Sequence, residues 1–265
     1  MNFKEELKKI LGKEAKKVNR SFNIIGEIGI IEIPNELKIK EKDIAKILMK
    51  VHKNIKTVVK IVGATKGTFR IKPIKWVYGL KNFETIHKEN GCLFKLKLNK
   101  VYFNPRLGTE RQRIYNKVKD GEIVIDMFAG VGPFSIEIAK HTKVNKIYAI
   151  EINPIAYKYL VENIKLNKVE DKVIPILGDC REKIKELPKA DRILMGYFPN
   201  TEEYLPYAIS KIKKNGVIHY HNIAKSKEEL IKPLEKYKVH ILKIKKVKSF
   251  APKIWHWVVD FKLLQ

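Results

Sequence analysis

Asp126-Met127-Phe128-Ala129-Gly130-Val131-Gly132-Pro133 is the stretch that decides the fold. The apolar run Ile123-Val124-Ile125 before it has the character of a buried strand, with Asp126 at its carboxyl end. Phe134-Ser135-Ile136-Glu137-Ile138-Ala139 after it has helical spacing. The glycines therefore mark a strand-to-helix turn, where a ligand meets bare backbone beside the positive end of a helix. A single turn of this kind is weak evidence, and its meaning depends on what flanks it.

Outward from the turn, helix and strand patterns alternate from about residue 107. Helices are expected at Thr109–Val118, Pro133–His141, Pro154–Asn167 and near Tyr204–Lys213. Strands are expected at Ile123–Asp126, Lys146–Glu151, Val173–Gly178, Asp191–Met195 and Gly216–Asn222. Such alternation predicts an α/β domain whose mostly parallel sheet is covered on both faces. Val239–Val247 and Trp255–Lys262 are expected as two more strands forming an antiparallel edge. Before residue 107 the pattern predicts an amphipathic helix over 1–18, two short strands within Phe22–Pro34 and a helix over Lys42–Lys53. Strands are expected there at Thr57–Val62, Thr68–Ile74 and Leu93–Leu98. The expected division is a smaller α+β domain over 1–106, mainly of antiparallel pairings, and a Rossmann-like domain over 107–265.

With 265 residues, 45% hydrophobic and 32% charged, the chain reads as globular and long enough for two cores. No apolar run reaches the roughly 18 residues of a membrane span. The start, Met1-Asn2-Phe3-Lys4-Glu5-Glu6-Leu7, lacks the apolar core of a secretion signal. Cys92 and Cys180 are the only cysteines, which suits reduced thiols, so the expected location is the cytoplasm, with no membrane or protein partner implied. Lys+Arg number 55 against 29 Asp+Glu, a formal charge of +26, which favours a polyanionic partner such as nucleic acid. Only 7 of those 55 are arginine, so a lysine-solvated surface of thermophilic type is the competing explanation.

Three carboxylates follow successive strands beside the glycine turn. Asp126 ends the first, Glu151 ends Ile147-Tyr148-Ala149-Ile150, and Asp179 follows the third in Gly178-Asp179-Cys180-Arg181. Glu151 lies about 25 positions after Asp126, near the offset at which an acid meets ribose hydroxyls, and Asp179 is placed to accept from an adenine amino group. The set reads as an adenosine site; acids that simply cap the next helices are the alternative. A-G-V-G-P departs from G-x-G-x-x-G, and Pro133 takes the helix start where a pyrophosphate needs free amides. S-adenosylmethionine (SAM), a sulfonium nucleoside without phosphate, therefore fits better than a dinucleotide.

Lys100-Val101-Tyr102-Phe103-Asn104-Pro105-Arg106-Leu107-Gly108-Thr109-Glu110-Arg111-Gln112-Arg113 makes the reading more specific. This stretch is similar to the tRNA guanine-37 N1-methyltransferases and to their sister family in wybutosine synthesis. Phe22-Asn23-Ile24-Ile25-Gly26-Glu27, His87-Lys88-Glu89-Asn90-Gly91, D-M-F-A-G-V-G-P-F, G-D-C-R-E and the closing S-F-A-P extend the likeness over nearly everything after about residue 20. An extra amino-terminal domain of the methyltransferases is not expected here. The two families part after the fourth strand of the Rossmann-like domain, where the methyltransferases carry Asn-Leu-Pro or Asn-Pro-Pro. Here the chain reads Met195-Gly196-Tyr197-Phe198-Pro199-Asn200-Thr201, followed by Gly216-Val217-Ile218-His219-Tyr220-His221-Asn222. This pattern resembles the archaeal-type tRNA(Phe) 4-demethylwyosine aminocarboxypropyltransferases.

The resemblance implies a class I SAM-dependent domain with SAM as group donor and no metal, acting on the tRNA(Phe) anticodon stem-loop. The implied reaction moves the 3-amino-3-carboxypropyl group to carbon 7 of 4-demethylwyosine at position 37. Methylation of guanine-37, or a non-catalytic basic RNA-binding protein, are the alternatives. The implied cofactor-binding residues are Tyr102, Arg106, Asp126, Phe128, Ala129, Gly130, Gly132, Glu151, Ile152, Asp179, Cys180 and Gly196. Glu110 corresponds to the methyltransferases' proton acceptor, or is a carboxylate favoured by the helix dipole. Arg70 corresponds to a base-contacting arginine, or is a solvated strand residue. His219 and His221 share a strand face, yet lack further ligands at metal spacing and read as packing. Trp76, Trp255 and Trp257 read as core or domain-interface residues. Lys243–Lys248 reads equally as an RNA-facing edge or a solvated strand.

Overall fold

The computed structural model describes residues 2–18, 22–65 and 67–264, and the chain divides into two units, 1–105 and 106–265. In the first unit Asn2 caps helix α1 (Phe3–Leu11) by accepting from the Lys4 amide at 3.0 Å. Glu5 and Glu6 occupy its first turn and Lys8 and Lys9 its last, matching the helix dipole. The helix expected over 1–18 is interrupted at Gly12, whose φ of 55° ends α1, and a 3-10 turn continues to Lys17; Met1 lies outside the described residues. Strands β1 (Asn23–Ile25) and β2 (Ile28–Ile31) form a hairpin. Helix α2 (Glu41–Val51) then crosses over to β3 (Thr57–Ile61), which pairs parallel with β2. β4 (Ile74–Gly79) pairs antiparallel with β3 and completes a sheet of order β1-β2-β3-β4.

Leu7, Ile44, Leu48 and Val58 meet in the core of this unit, each fully buried and worth about 1.5–3 kcal/mol on leaving water. The strand expected at Thr68–Ile74 is displaced. Arg70 has a φ of 53° and its amide donates to the Gly67 carbonyl at 3.1 Å, so the chain turns there. Pro73 adds no donor for a ladder, and extended pairing resumes only at Ile74. A strand not anticipated, β5 (Glu84–Glu89), forms a hairpin with β6 (Cys92–Lys97). Its turn residues Asn90 and Gly91 both have positive φ, the type I′ geometry that Asn-Gly favours.

The second unit begins with α3 (Gly108–Tyr115) and proceeds through β7 (Ile123–Asp126), α4 (Pro133–His141), β8 (Lys146–Glu151), α5 (Pro154–Asn167) and β9 (Val173–Leu177). Next come α6 (Cys180–Lys183), β10 (Ala190–Met195), α7 (Leu205–Lys211) and β11 (Ile212–Ala224). A short helix α8 (Lys227–Ile231), absent from the expectation, precedes β12 (Val239–Ala251) and β13 (Ile254–Leu263). The sheet order is β12-β13-β11-β10-β7-β8-β9. β7 to β11 run parallel, and their apolar runs place Ile125, Ile150, Ile193 and Ile218 in the core. The two tail strands form the expected antiparallel edge: β13 pairs antiparallel with β11 and with β12, and β12 is outermost. A core-facing face on Trp257, Val259 and Phe261 explains this order, because an edge strand would leave it half wet. Among the described residues no helix is long and apolar enough to cross a membrane.

Candidate active site

After β7 the chain builds β8 and β9 on one side, then returns to place β10 on the other side of β7. The crevice beyond the carboxyl ends of β7 and β10 is therefore the topological switch point, where open α/β sheets bind ligands. The turn from Asp126 to Pro133 enters it and is held by its own backbone. Ala129 N donates to Ile150 O at 2.8 Å, and Gly130 N donates to Glu151 Oε2 at 2.7 Å. Gly132 caps α4 at a φ of 93°, with Pro133 opening the helix.

The three carboxylates behave differently. Asp126 is 1% exposed and does not present itself to the crevice. Its Oδ2 accepts from the Ser135 hydroxyl at 2.8 Å and its Oδ1 from the Phe128 amide at 3.3 Å, so it ties the strand end to α4 and shapes the turn. Glu151 is half-buried; its Oε1 accepts from Asn153 N at 2.7 Å, and burial raises its carboxyl above the usual range. Asp179 caps α6 by accepting from Arg181 N at 2.9 Å and pairs with the Arg181 guanidinium, which holds its carboxyl below the usual range. Asp179 thus makes the contact of the helix-capping alternative, while Glu151 stands at the carboxyl end of β8 against the glycine turn.

Apolar surface completes the crevice. Ile152, directly after Glu151, is 40% exposed. Phe128 stacks on Tyr197 with centroids 5.0 Å apart, and Tyr204 meets Phe128 edge-on at 4.9 Å. Gly196 directly follows β10, with only the Phe134 ring near a notional side chain, 3.6 Å away. Thr201, the threonine of G-Y-x-x-x-T, is buried and donates to the Tyr197 carbonyl, fixing the loop that carries Tyr197. The Phe128–Tyr197–Tyr204 cluster was not anticipated; three aromatics flanking two strand ends were its only sequence signal. Burial pushes the Cys180 thiol up to about 12, which removes it as a nucleophile and leaves it as packing beside the site.

Glu110 is 2% exposed, in the first turn of α3. Arg113 holds it bidentately, with Nη2 2.6 Å from Oε1, and Lys245 donates to Oε2 at 3.1 Å. These cations outweigh burial and keep the carboxyl below its ordinary range, the wrong direction for a proton acceptor. The structure therefore places Glu110 in an ion-pair network. Arg113 continues to Asp260 at 2.6 Å, Asp260 to His219 Nδ1 at 2.6 Å, and His219 Nε2 to Arg192 at 2.7 Å. Arg192 closes on Glu122 at 2.7 Å. His221 bonds His256 at 3.0 Å, and burial lowers it to about 4. Among the described residues no group of three or more His, Cys, Asp or Glu is placed to hold a metal.

Arg106 is exposed at the start of this unit. Tyr102 and Arg70 belong to the first unit, where the guanidinium lies 5.7 Å from the Tyr102 ring centroid and the Tyr102 hydroxyl accepts from Asn104 Nδ2 at 3.2 Å. Arg70 is thus a turn residue rather than a solvated strand residue.

The carboxyl of Asp126 gives a pH prediction. Burial raises it from 3.8 to about 6. A raised folded-state value means that its contribution is full below about pH 4 and is lost as the pH climbs through about 6. Relative to Asp126→Asn, the wild-type chain is expected to lose about 3 kcal/mol between pH 4 and 7, read from urea midpoints. A stability difference that stays flat with pH would contradict the burial.

Sheet order and the inserted antiparallel strand define the class, a Rossmann-like transferase fold of the SAM-dependent type. Residues 85–248 match the TRM5/TYW2 methyltransferase domain and residues 3–82 the TYW2 N-terminal domain. The chain belongs to the TRM5/TYW2 methyltransferase family and is an enzyme. It is 45% identical over 252 residues to the tRNA (guanine(37)-N(1))-methyltransferase Trm5b of Pyrococcus abyssi, covering 92% of this chain and 74% of that protein. It is 44% identical over 206 residues to the tRNA(Phe) (4-demethylwyosine(37)-C(7)) aminocarboxypropyltransferase of Methanocaldococcus jannaschii, covering 74% of this chain and 81% of that one. The crystal structure of P. horikoshii TYW2 in complex with MeSAdo superposes with a TM-score of 0.79 at 36% identity, covering 97% of this chain and 98% of that one.

Proposed function

We propose that this enzyme transfers the 3-amino-3-carboxypropyl group of SAM to carbon 7 of 4-demethylwyosine at position 37 of tRNA(Phe). The observation that carries this reading is Gly196-Tyr197 at the end of β10. Where the related methyltransferases carry an asparagine to serve guanine, this chain has no side chain, and the next residue is an aromatic locked against Phe128 and held by Thr201. The crevice fits SAM on its own evidence. A side-chain carbon at Gly130 would meet nothing within 4 Å, so the turn is open, and Glu151 and Ile152 lie at the neighbouring strand end.

When bound, SAM supplies a sulfonium whose three carbons are all electrophilic. In this reading Gly130 offers bare backbone, Glu151 accepts from ribose hydroxyls, and Ile152 covers the adenine. The exposed guanidinium of Arg106 suits the methionine carboxylate. Binding presents the γ-carbon to the nucleophile at near-attack distance. The bond from C7 to the γ-carbon forms as the carbon–sulfur bond breaks, the electron pair stays on sulfur in neutral methylthioadenosine, and the C7 proton is released. The surplus of 55 basic over 29 acidic residues supports tRNA binding through phosphates.

Methyl transfer to guanine-37 is the second reading, favoured by the 45% identity to Trm5b. Chromatography of the released nucleoside separates the two. Methylthioadenosine is expected on incubation with SAM and tRNA carrying 4-demethylwyosine; S-adenosylhomocysteine as the product would overturn the proposal.

A further inference from the structure

The first unit carries a feature that group transfer does not use. A groove of about 530 Å³ is lined by Lys42 and Met49 of α2, by Ile55 and Lys56 before and at the entry to β3, and by Trp76, Tyr78, Gly79 and Leu80 at the end of β4. Its volume falls within the range of ligand pockets. β4 is the edge strand of its sheet, and its pairing with β3 slips by one residue at Val77, the kind of bulge that re-aims side chains at an edge. Trp76 and Tyr78 are both half-buried, and Leu80 is 60% exposed. The Trp76 indole N–H donates to the Gly79 carbonyl at 3.3 Å, which fixes the ring at the rim. The Leu80 amide donates to the Lys56 carbonyl at 2.8 Å and closes the floor.

Charge says what fits this groove. From Ile44 to Phe83 the chain contains no Asp or Glu, yet holds nine lysines and one arginine. Lys42, Lys53, Lys56, Lys75 and Lys81 are exposed. The Lys46 ammonium lies 5.6 Å from the Tyr78 ring centroid. Lys50 and Lys60 are held by Glu6 and Glu41, whereas at the groove Glu27 meets Lys56 at 2.5 Å and Asp43 meets Lys46 at 3.5 Å in exposed pairs, which contribute little and exchange readily for a phosphate. An apolar peptide would gain nothing from so uniform a field. A single-stranded nucleic acid uses both parts, because aromatic rings stack bases of any sequence while lysines track the backbone.

We infer that this groove is an RNA-binding subsite, in which Trp76 and Tyr78 stack an unpaired base and Lys42 and Lys56 hold the flanking phosphates. The inference rests on the tRNA-modifying reading above and adds a second contact, separate from the reacting base. In this reading Trp76 stacks a base instead of taking the core or interface role expected from sequence.

The test is fluorescence anisotropy of a labelled, unmodified tRNA(Phe) transcript against the full chain at fixed salt. Trp76→Leu keeps apolar bulk but removes the π-face, and is expected to weaken binding about fivefold to a hundredfold, the loss of one base–aromatic stack. Trp76→Phe is expected to fall between. Lys42→Gln and Lys56→Gln are each expected to lower the slope of log affinity against log salt by about 0.7–0.9. Unchanged melting temperature and SAM binding by calorimetry certify that each variant is folded. Tryptophan variants within twofold of wild type, or unchanged salt slopes, would overturn the subsite and leave the reaction untouched. Failure of the wild-type chain to bind the transcript would overturn both readings.

Discussion

Replacing Arg113 with methionine is expected to cost about 3–5 kcal/mol of unfolding free energy, read by urea titration at neutral pH. Arg113 is the shared cation of two carboxylates that are each 1% exposed at the side chain, Glu110 and Asp260. Two charges removed from water are tolerated because the guanidinium meets both bidentately. Methionine fills similar volume and leaves both anions short of a partner. Lys117 and Lys245 remain, but each reaches only one of them. Neutralising the carboxylates as well, in Arg113→Met/Glu110→Gln/Asp260→Asn, is expected to recover part of the loss, since the penalty belongs to the unpaired charge. A loss below about 1 kcal/mol in the single variant would place the pair with exposed ion pairs and refute the network.

Gly132→Ala is expected to cost about 2–4 kcal/mol and to weaken SAM binding at least tenfold in calorimetry. Two effects add. At a φ of 93° a side chain costs about 1–2 kcal/mol. The new carbon would also lie 2.7 Å from the Ile136 and Leu160 methyl groups, and overpacking of that kind costs about 1–3 kcal/mol. Relief requires the buried Ile136 and Leu160 side chains to repack between α4 and α5, beside the turn that offers its backbone to the nucleoside. Gly130→Ala is the control. Its side-chain carbon meets nothing within 4 Å, so only the backbone cost of about 1–2 kcal/mol remains. Equal losses at the two glycines would show that packing at Gly132 plays no part.

Much of the second unit was legible because its strands are short apolar runs separated by helices, and the same pattern located the strand ends where the crevice lies. The glycine turn, Glu151 and Gly196 all stand at that crevice. Side-chain orientation was not legible. Asp126 and Glu151 both end apolar strands, yet Ser135 draws the first inward while the Gly130 amide meets the second at the turn. The ion-pair network around Glu110 was not legible because Lys245, which donates to it, and Asp260, which shares its Arg113, are distant in sequence and join only when β12 and β13 fold beside α3. In the first unit β5 was missed because Glu84-Thr85-Ile86-His87-Lys88-Glu89 has too few apolar residues, although Asn90-Gly91 marks its hairpin. The Thr68–Ile74 strand failed for the opposite reason: its residues suit a strand, but the turn at Gly67–Arg70 and Pro73 deny it a ladder.

The central claim is that the cleft beside Gly196 delivers the aminocarboxypropyl carbon of SAM. Its most direct test is the mass of the modified nucleoside, digested from 4-demethylwyosine tRNA(Phe) after incubation with the enzyme and SAM. A gain equal to one 3-amino-3-carboxypropyl group is the predicted result; a gain equal to one methyl group would contradict it.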